Sequence, residues 1–239
     1  MIYFVNKQYL LLKGFIESNH VYPKKHLMFF VFSRIIQVSK NNNNIKILNK
    51  TGDFLAWTVI QRRFNGTVDF YRGWDDYKNG FGDLNTEFWL GNEKIHQLTN
   101  QGQYSLQVDL KPWDSPLRSA VYGKFSLDNE NENYKLQISD YQSLISSAGD
   151  SLSSPWDNAN GAPFSTYDRD HDNLFYDNCA LTYHGAWWFT SCFQSHLNGA
   201  YIRSPLALQN TARNGLHWNT FALYHSMKET TLRIRRQSF

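Results

Sequence analysis

Cysteine is nearly absent from this chain: 239 residues hold only Cys179 and Cys192. That scarcity excludes a structural zinc site, which needs paired C-x-x-C units or a Cys/His quartet at defined spacing. It leaves a short-loop bridge, two free thiols or half of another metal site. A bridge would place the chain outside the cytosol. Charge is also sparse, at 19% of residues. Of the 24 Lys/Arg and 21 Asp/Glu, eight and two fall in residues 1–54, leaving 16 and 19 for the rest. The excess positive charge therefore sits in an N-terminal tail, and the remainder has no basic face for nucleic acid. Long apolar runs are missing too. The run from Leu27 to Phe32 lies behind Lys24 and Lys25, as the first regions of a signal peptide would, but no small-residue cleavage site follows it. It is too short to span a bilayer, and Arg34 ends it, so no transmembrane segment is expected. Nor does any nucleophile–base–oxyanion set appear, which argues against a hydrolase and against enzymatic activity generally.

Aromatic side chains are abundant, at 16%, and mean hydropathy is −0.54. This composition suggests a loop-rich globular domain with core and pockets built from Trp, Tyr and Phe. Order begins near residue 54. Upstream lie scattered apolar residues without clear amphipathic period and an Asn run, Asn41 to Asn44. Downstream, Trp57 to Arg63 reads as a strand. Tyr104, Leu106, Val108 and Leu110 alternate with polar residues, as do Tyr134, Leu136 and Ile138, then Leu232 and Ile234; period two marks half-buried strands. The stretch from Asp83 to Leu98 resembles two short helices, with Asn85 as a cap and Gly91 as the break. Residues 142 to about 215 read mostly as loop. So long an irregular stretch is unusual in a compact domain unless it is functional or pinned.

That loop contains Asp168, Asp170, Asp172 and Asp177. Calcium takes six to eight oxygen ligands, and carboxylates at alternate positions plus loop carbonyls supply that kind of donor. The EF-hand form fails: counted from Asp168, position 6 is Asn173 instead of Gly and position 12 is Cys179 instead of Glu. An isolated string of this kind reads equally well as a solvated acidic turn.

Further motifs carry a resemblance. FSTYDRDHD (164–172), NCALTYHGAWW (178–188) and CFQSHLNGAY (192–201) occur in that order. WTVIQRR (57–63), FWLGNEKIHQLT (88–99) and AGDSL (148–152) precede them, and GLHW (215–218) and SMKETTLRIR (226–235) follow. Together they resemble the fibrinogen-related domains, the C-terminal globular domains of fibrinogen, over residues 55–236, with residues 1–54 unmatched. The resemblance implies an α+β fold, a central antiparallel sheet with short helices and a loop-rich, calcium-binding C-terminal region. It implies side-chain calcium ligands at Asp170 and Asp172, carbonyl ligands at Leu174 and Tyr176 (or Asp177), and a supporting role for Asp168. It also implies a Cys179–Cys192 bridge, and a cis peptide at Ser191–Cys192. The family's N-terminal subdomain normally has its own disulfide, so the N-terminal part is expected to be missing or wrongly started.

Lectin-like members of this family, such as ficolins and tachylectins, bind acetyl groups beside the metal. Their pocket positions fall here on Tyr183, Ser191, Phe193 and Ala212. Phe193 lacks the imidazole donor found there, and Ala212 lacks an aromatic wall. The expected function is a secreted, extracellular, non-enzymatic recognition module taking acetylated or sugar ligands, with an extracellular protein partner as the alternative and homo-oligomers possible. Trp187 and Trp188 are expected in the core, His184 and His196 as packing or surface residues, and Arg233, Arg235 and Arg236 as a solvated end. Asn49 and Asn65 head N-glycosylation sequons.

Overall fold

A computed structural model describes residues 26–31, 34–41, 44–48, 57–155, 158–203, 214–221 and 225–237. The chain divides into two compact units, Met1–Ala56 and Trp57–Phe239. In the first, strands β1 (His26–Val31), β2 (Arg34–Asn41) and β3 (Asn44–Leu48) form an antiparallel sheet in that order. The sequence showed no period here. The β-branched residues Ile35, Ile36, Val38, Ile45 and Ile47 favour strand without strict alternation.

The second unit is built on β4 (Thr58–Arg63), β5 (Phe81–Gly82), β6 (Phe88–Trp89), β7 (Tyr104–Lys111), β8 (Arg118–Leu127), β9 (Leu136–Tyr141) and β12 (Glu229–Arg236). They form one sheet in the order β5-β6-β4-β12-β7-β8-β9, antiparallel throughout. The C-terminal strand thus lies between β4 and β7. Alternation is realised as expected: Leu106, Val108, Leu110, Leu232 and Ile234 are buried, each such burial contributing about 1.5–3 kcal/mol. Tyr134 is buried as the alternation requires, but it lies outside the strand. It adopts φ 47° before β9 begins, where its ring stacks on Trp74 at 5.6 Å.

The helices differ from expectation. Asn85 caps nothing; its backbone N–H and side-chain amide both donate to Asp83 Oδ1 in a turn, and Phe88–Trp89 is strand, paired with β4. Only the second helix forms, α2 (Asn92–Thr99), after α1 (Trp74–Asn79), which the sequence reading missed. Gly91 sits at φ 111°, and a Cβ there would lie 2.8 Å from the Asn79 carbonyl, so no other residue fits this entry to α2.

Aromatic rings carry the core over the helices. Phe164 packs against Trp188 at 5.3 Å, Trp89 at 6.1 Å and Tyr77 at 5.3 Å. Their polar tips are satisfied, Trp188 Nε1 donating to the Tyr134 carbonyl and Tyr77 Oη to the Phe70 carbonyl. Phe164 lies four residues before Asp168, so the core anchors the approach to the aspartate string. Trp187 and Trp188 are buried, as expected.

Among the described residues from 142 to 215, the regular elements are α3 (Cys179–Thr182) and β10 (Ser195–His196), which pairs with β11 (His217–Trp218). Buried Arg63 ties this region to β4: its guanidinium donates to the Gly199 carbonyl at 2.9 Å and lies over Phe70 at 3.8 Å. Burial lowers its pKa to about 10, opposed by nearby Tyr77 and Glu87. The arginines near the C-terminus are not a free end. Arg233 pairs with Asp109 at 2.9 Å, Arg233 and Arg235 lie over Trp57, and Arg236 donates to the Gln101 carbonyl. They lie in β12, whose neighbours on both sides supply partners.

Candidate functional site

The aspartate string is held by its first member. Asp168 accepts hydrogen bonds from the Trp74 N–H at 3.0 Å and from Thr166 Oγ1 at 2.6 Å, docking the loop on the start of α1. Gly73 makes that possible, since a Cβ there would come within 2.6 Å of Asp168 Oδ2. The Asp168 carboxylate therefore fixes the position of the loop. His171 is structural: Nδ1 lies 2.8 Å from the Phe164 carbonyl, and its backbone N–H donates to Ser165 Oγ.

Asp172 ties two parts of the loop together. One carboxylate oxygen accepts the Leu174 N–H at 2.7 Å, the other the Cys179 N–H at 2.8 Å. Asp170 Oδ1 accepts the Asp172 N–H at 3.1 Å. Burial raises the Asp172 pKa, two backbone N–H bonds oppose it, and the neighbouring Asp170 carboxylate raises it further. Among the described residues no cationic side chain pairs with either; Arg169 reaches Asp75 instead. Two adjacent hard carboxylates without a counter-charge are the donor chemistry that calcium accepts. No group of three or more His, Cys, Asp or Glu side chains converges among the described residues, so carbonyls and water would have to complete a shell. Asp177 is spent on its own helix, taking the Asn178 N–H and Thr182 Oγ1. Leu174 is part-exposed, and Tyr176 is almost fully so.

The loop then passes into the disulfide. Cys179 and Cys192 are bonded, 13 residues apart, and the Ser191–Cys192 peptide is cis. Asn178, capping α3 by accepting the Leu181 N–H, also contacts the Tyr167 carbonyl. Of the expected pocket residues, Tyr183 and Phe193 meet edge to face at 4.9 Å, and Ser191 is exposed. Ala212 lies outside the described residues. Phe193 is also packed on Phe189, His196 and His217, at 6.0, 5.3 and 6.0 Å. His184 is exposed; His196 is fully buried, with neither ring nitrogen hydrogen-bonded among the described residues.

The sequence reading missed two contributors. Buried Glu87 accepts the backbone N–H groups of Phe64, Asn65, Gly66 and Val68, fixing the loop ahead of α1. Tyr71, on that loop, has its ring 4.9 Å from Tyr167 and 5.1 Å from His184. Nothing in the local sequence marks either.

The family described as "Fibrinogen beta and gamma chains, C-terminal globular domain" matches residues 32–237, and the chain belongs to it. The match starts upstream of residue 55, where the motifs became legible. The chain is 44% identical over 183 residues to Ryncolin-4 of Cerberus rynchops, covering 76% of this chain and 50% of that protein. It is 44% identical over 163 residues to Ficolin-3 of Homo sapiens, covering 68% and 51%. Among solved structures, the fibrinogen-like globe domain of human ANGPTL6 superposes with a TM-score of 0.74 at 34% identity, covering 87% of this chain and 90% of that one. The chain spans about half the length of these two sequence relatives. Domains of this family are recognition modules, and this one is not an enzyme. Among the described residues no helix is long and apolar enough to cross a membrane.

Proposed function

We propose that this domain is a secreted, calcium-dependent recognition module with lectin-like binding of acetylated or sugar ligands. One observation carries the reading: Asp172 bonds directly to the backbone of Cys179, whose disulfide leads to Phe193, which in turn packs on Tyr183. A cation held by Asp170 and Asp172, with the Leu174 and Tyr176 carbonyls, would therefore be coupled to the wall of the pocket. Calcium would neutralise the two facing carboxylates and hold the loop; Tyr183 and Phe193 would accept the methyl of an acetyl group. With Phe in place of the imidazole donor, one hydrogen bond to the ligand carbonyl is missing, a loss of roughly 1–3 kcal/mol. Likeness to Ficolin-3 and Ryncolin-4 supports this reading.

Calcium titration calorimetry tests it, followed by N-acetylglucosamine binding with and without chelator. Asp170→Ala with Asp172→Ala should abolish the heat of calcium uptake and sugar binding together. Sugar binding that survives chelation would refute the calcium dependence.

A protein-binding reading is favoured by a different feature. Phe175 and Tyr176 stand 87% and 93% exposed, ring against ring at 4.7 Å, at the tip of the same loop. Such a pair suits a protein partner. A folded, calcium-loaded domain without any glycan signal would decide for it.

A further inference from the structure

We propose that Tyr71, Tyr167 and His184 form a second ligand subsite, a platform on which the pyranose ring of a neutral oligosaccharide stacks. The three rings come from separate parts of the chain: the loop held by Glu87, the start of the aspartate string, and the residue two beyond α3. They nevertheless form one contiguous aromatic surface, Tyr167 to Tyr71 at 4.9 Å and Tyr71 to His184 at 5.1 Å, tilted by 42° and 41°. It is open to solvent: Tyr167 is 41% exposed, His184 is exposed and Tyr71 is part-exposed.

His184 is placed there by its backbone. It adopts φ 51°, in the left-handed region that a residue with a Cβ seldom occupies. The turn sends consecutive side chains to different partners, Tyr183 to Phe193 and His184 to Tyr71. The platform and the expected acetyl slot are therefore adjacent through the chain. Asn214 Nδ2 lies 3.1 Å from His184 Nδ1, and Nε2 has no hydrogen-bond partner among the described residues.

The chemistry favours a sugar over a cation or an anion. No member of the platform takes part in an ion pair among the described residues, and the nearest carboxylate in sequence, Asp168, is committed to Trp74 and Thr166. Burial, and then Tyr167, raise the Tyr71 pKa, so its hydroxyl stays neutral. A pyranose presents a face of polarised C–H bonds and a rim of hydroxyls. Ring faces take the first, and phenol hydroxyls with an imidazole nitrogen take the second.

The proposal rests on the lectin reading for its ligand class, and the test separates the two. Calorimetry on the calcium-loaded full chain compares N-acetylglucosamine with its β1-4-linked tetramer. The tetramer is expected to bind at least about 10-fold more tightly, beyond the about fourfold statistical gain of four acetyl groups. Tyr167→Ala and His184→Ala should each weaken the tetramer roughly 2- to 12-fold, leaving the monosaccharide unchanged. Tyr167→Leu, keeping bulk without a ring face, should behave as Tyr167→Ala and serves if the alanine variant misfolds. Equal affinities for monomer and tetramer, or variants with wild-type tetramer affinity, overturn the platform and leave the acetyl slot standing. Tetramer binding that falls in the variants while the monosaccharide never binds keeps the platform and removes the slot. Binding of neither removes both.

Discussion

Glu87 offers the sharpest test of how the loop before α1 is held. Its carboxylate is fully buried, and Oε1 accepts three backbone N–H groups, from Phe64, Asn65 and Gly66, at 2.7, 3.0 and 3.0 Å. Oε2 takes the Val68 N–H at 3.1 Å and, more weakly, Thr67 Oγ1. Hydrogen bonds to a charged acceptor contribute about 1.5–3 kcal/mol each, but a partly exposed loop can recover some of them from water. Glu87→Ala should therefore cost about 3–5 kcal/mol, or roughly 6–20 °C of melting temperature for a unit of this size. Glu87→Gln keeps Oε1 and its three donors, and sets an amide N–H against the Val68 N–H, so about 1–2 kcal/mol is expected. Burial alone would raise the Glu87 pKa, but the four backbone donors outweigh it and hold it below the usual value of 4.5. A depressed folded pKa means the stabilisation is complete above the unfolded value and is lost as pH falls through the lower, folded one. The gap in melting temperature between wild type and Glu87→Ala should accordingly narrow in acid. Thermal melts across pH 3–7 measure it. Equal losses for Ala and Gln, or an alanine variant that melts with wild type, would refute the account of a carboxylate-centred loop.

His196 titrates with the opposite cause. Burial, then His217 and Arg63, lower its pKa well below 6.5, so the unfolded chain takes the proton first. Stability should fall as pH drops below 6.5, by up to about 1.4 kcal/mol per unit, and His196→Leu should flatten that slope in denaturant titrations. Replacing Cys179 and Cys192 with Ala should cost about 3 kcal/mol from loop entropy, read as a lower urea midpoint. A midpoint unchanged from wild type would mean the loop is pinned by other contacts.

How much of this was readable beforehand depends on the range of the interaction. Alternation at Leu106, Val108, Leu110, Leu232 and Ile234 declared the strands, because period two is a local property. The spacing of Asp168, Asp170 and Asp172 was just as local, but by itself it read equally well as a solvated acidic turn, and calcium came in only with the family resemblance. The helix expected at Asn85 failed because pairing with β4 pulled Phe88 and Trp89 into the sheet, a tertiary contact overriding local propensity.

Sequence alone settled the family, the alternating core and the motif-bearing loop, all of which are written in neighbouring residues. Tertiary structure alone decided that β12 inserts between β4 and β7, that Arg63 and Glu87 serve as buried anchors, and that Tyr71 meets Tyr167 and His184. The physical reason is separation along the chain. Local pattern records which face a side chain needs, but the identity of a partner about a hundred residues away is fixed only when the sheet and the aromatic core close around it.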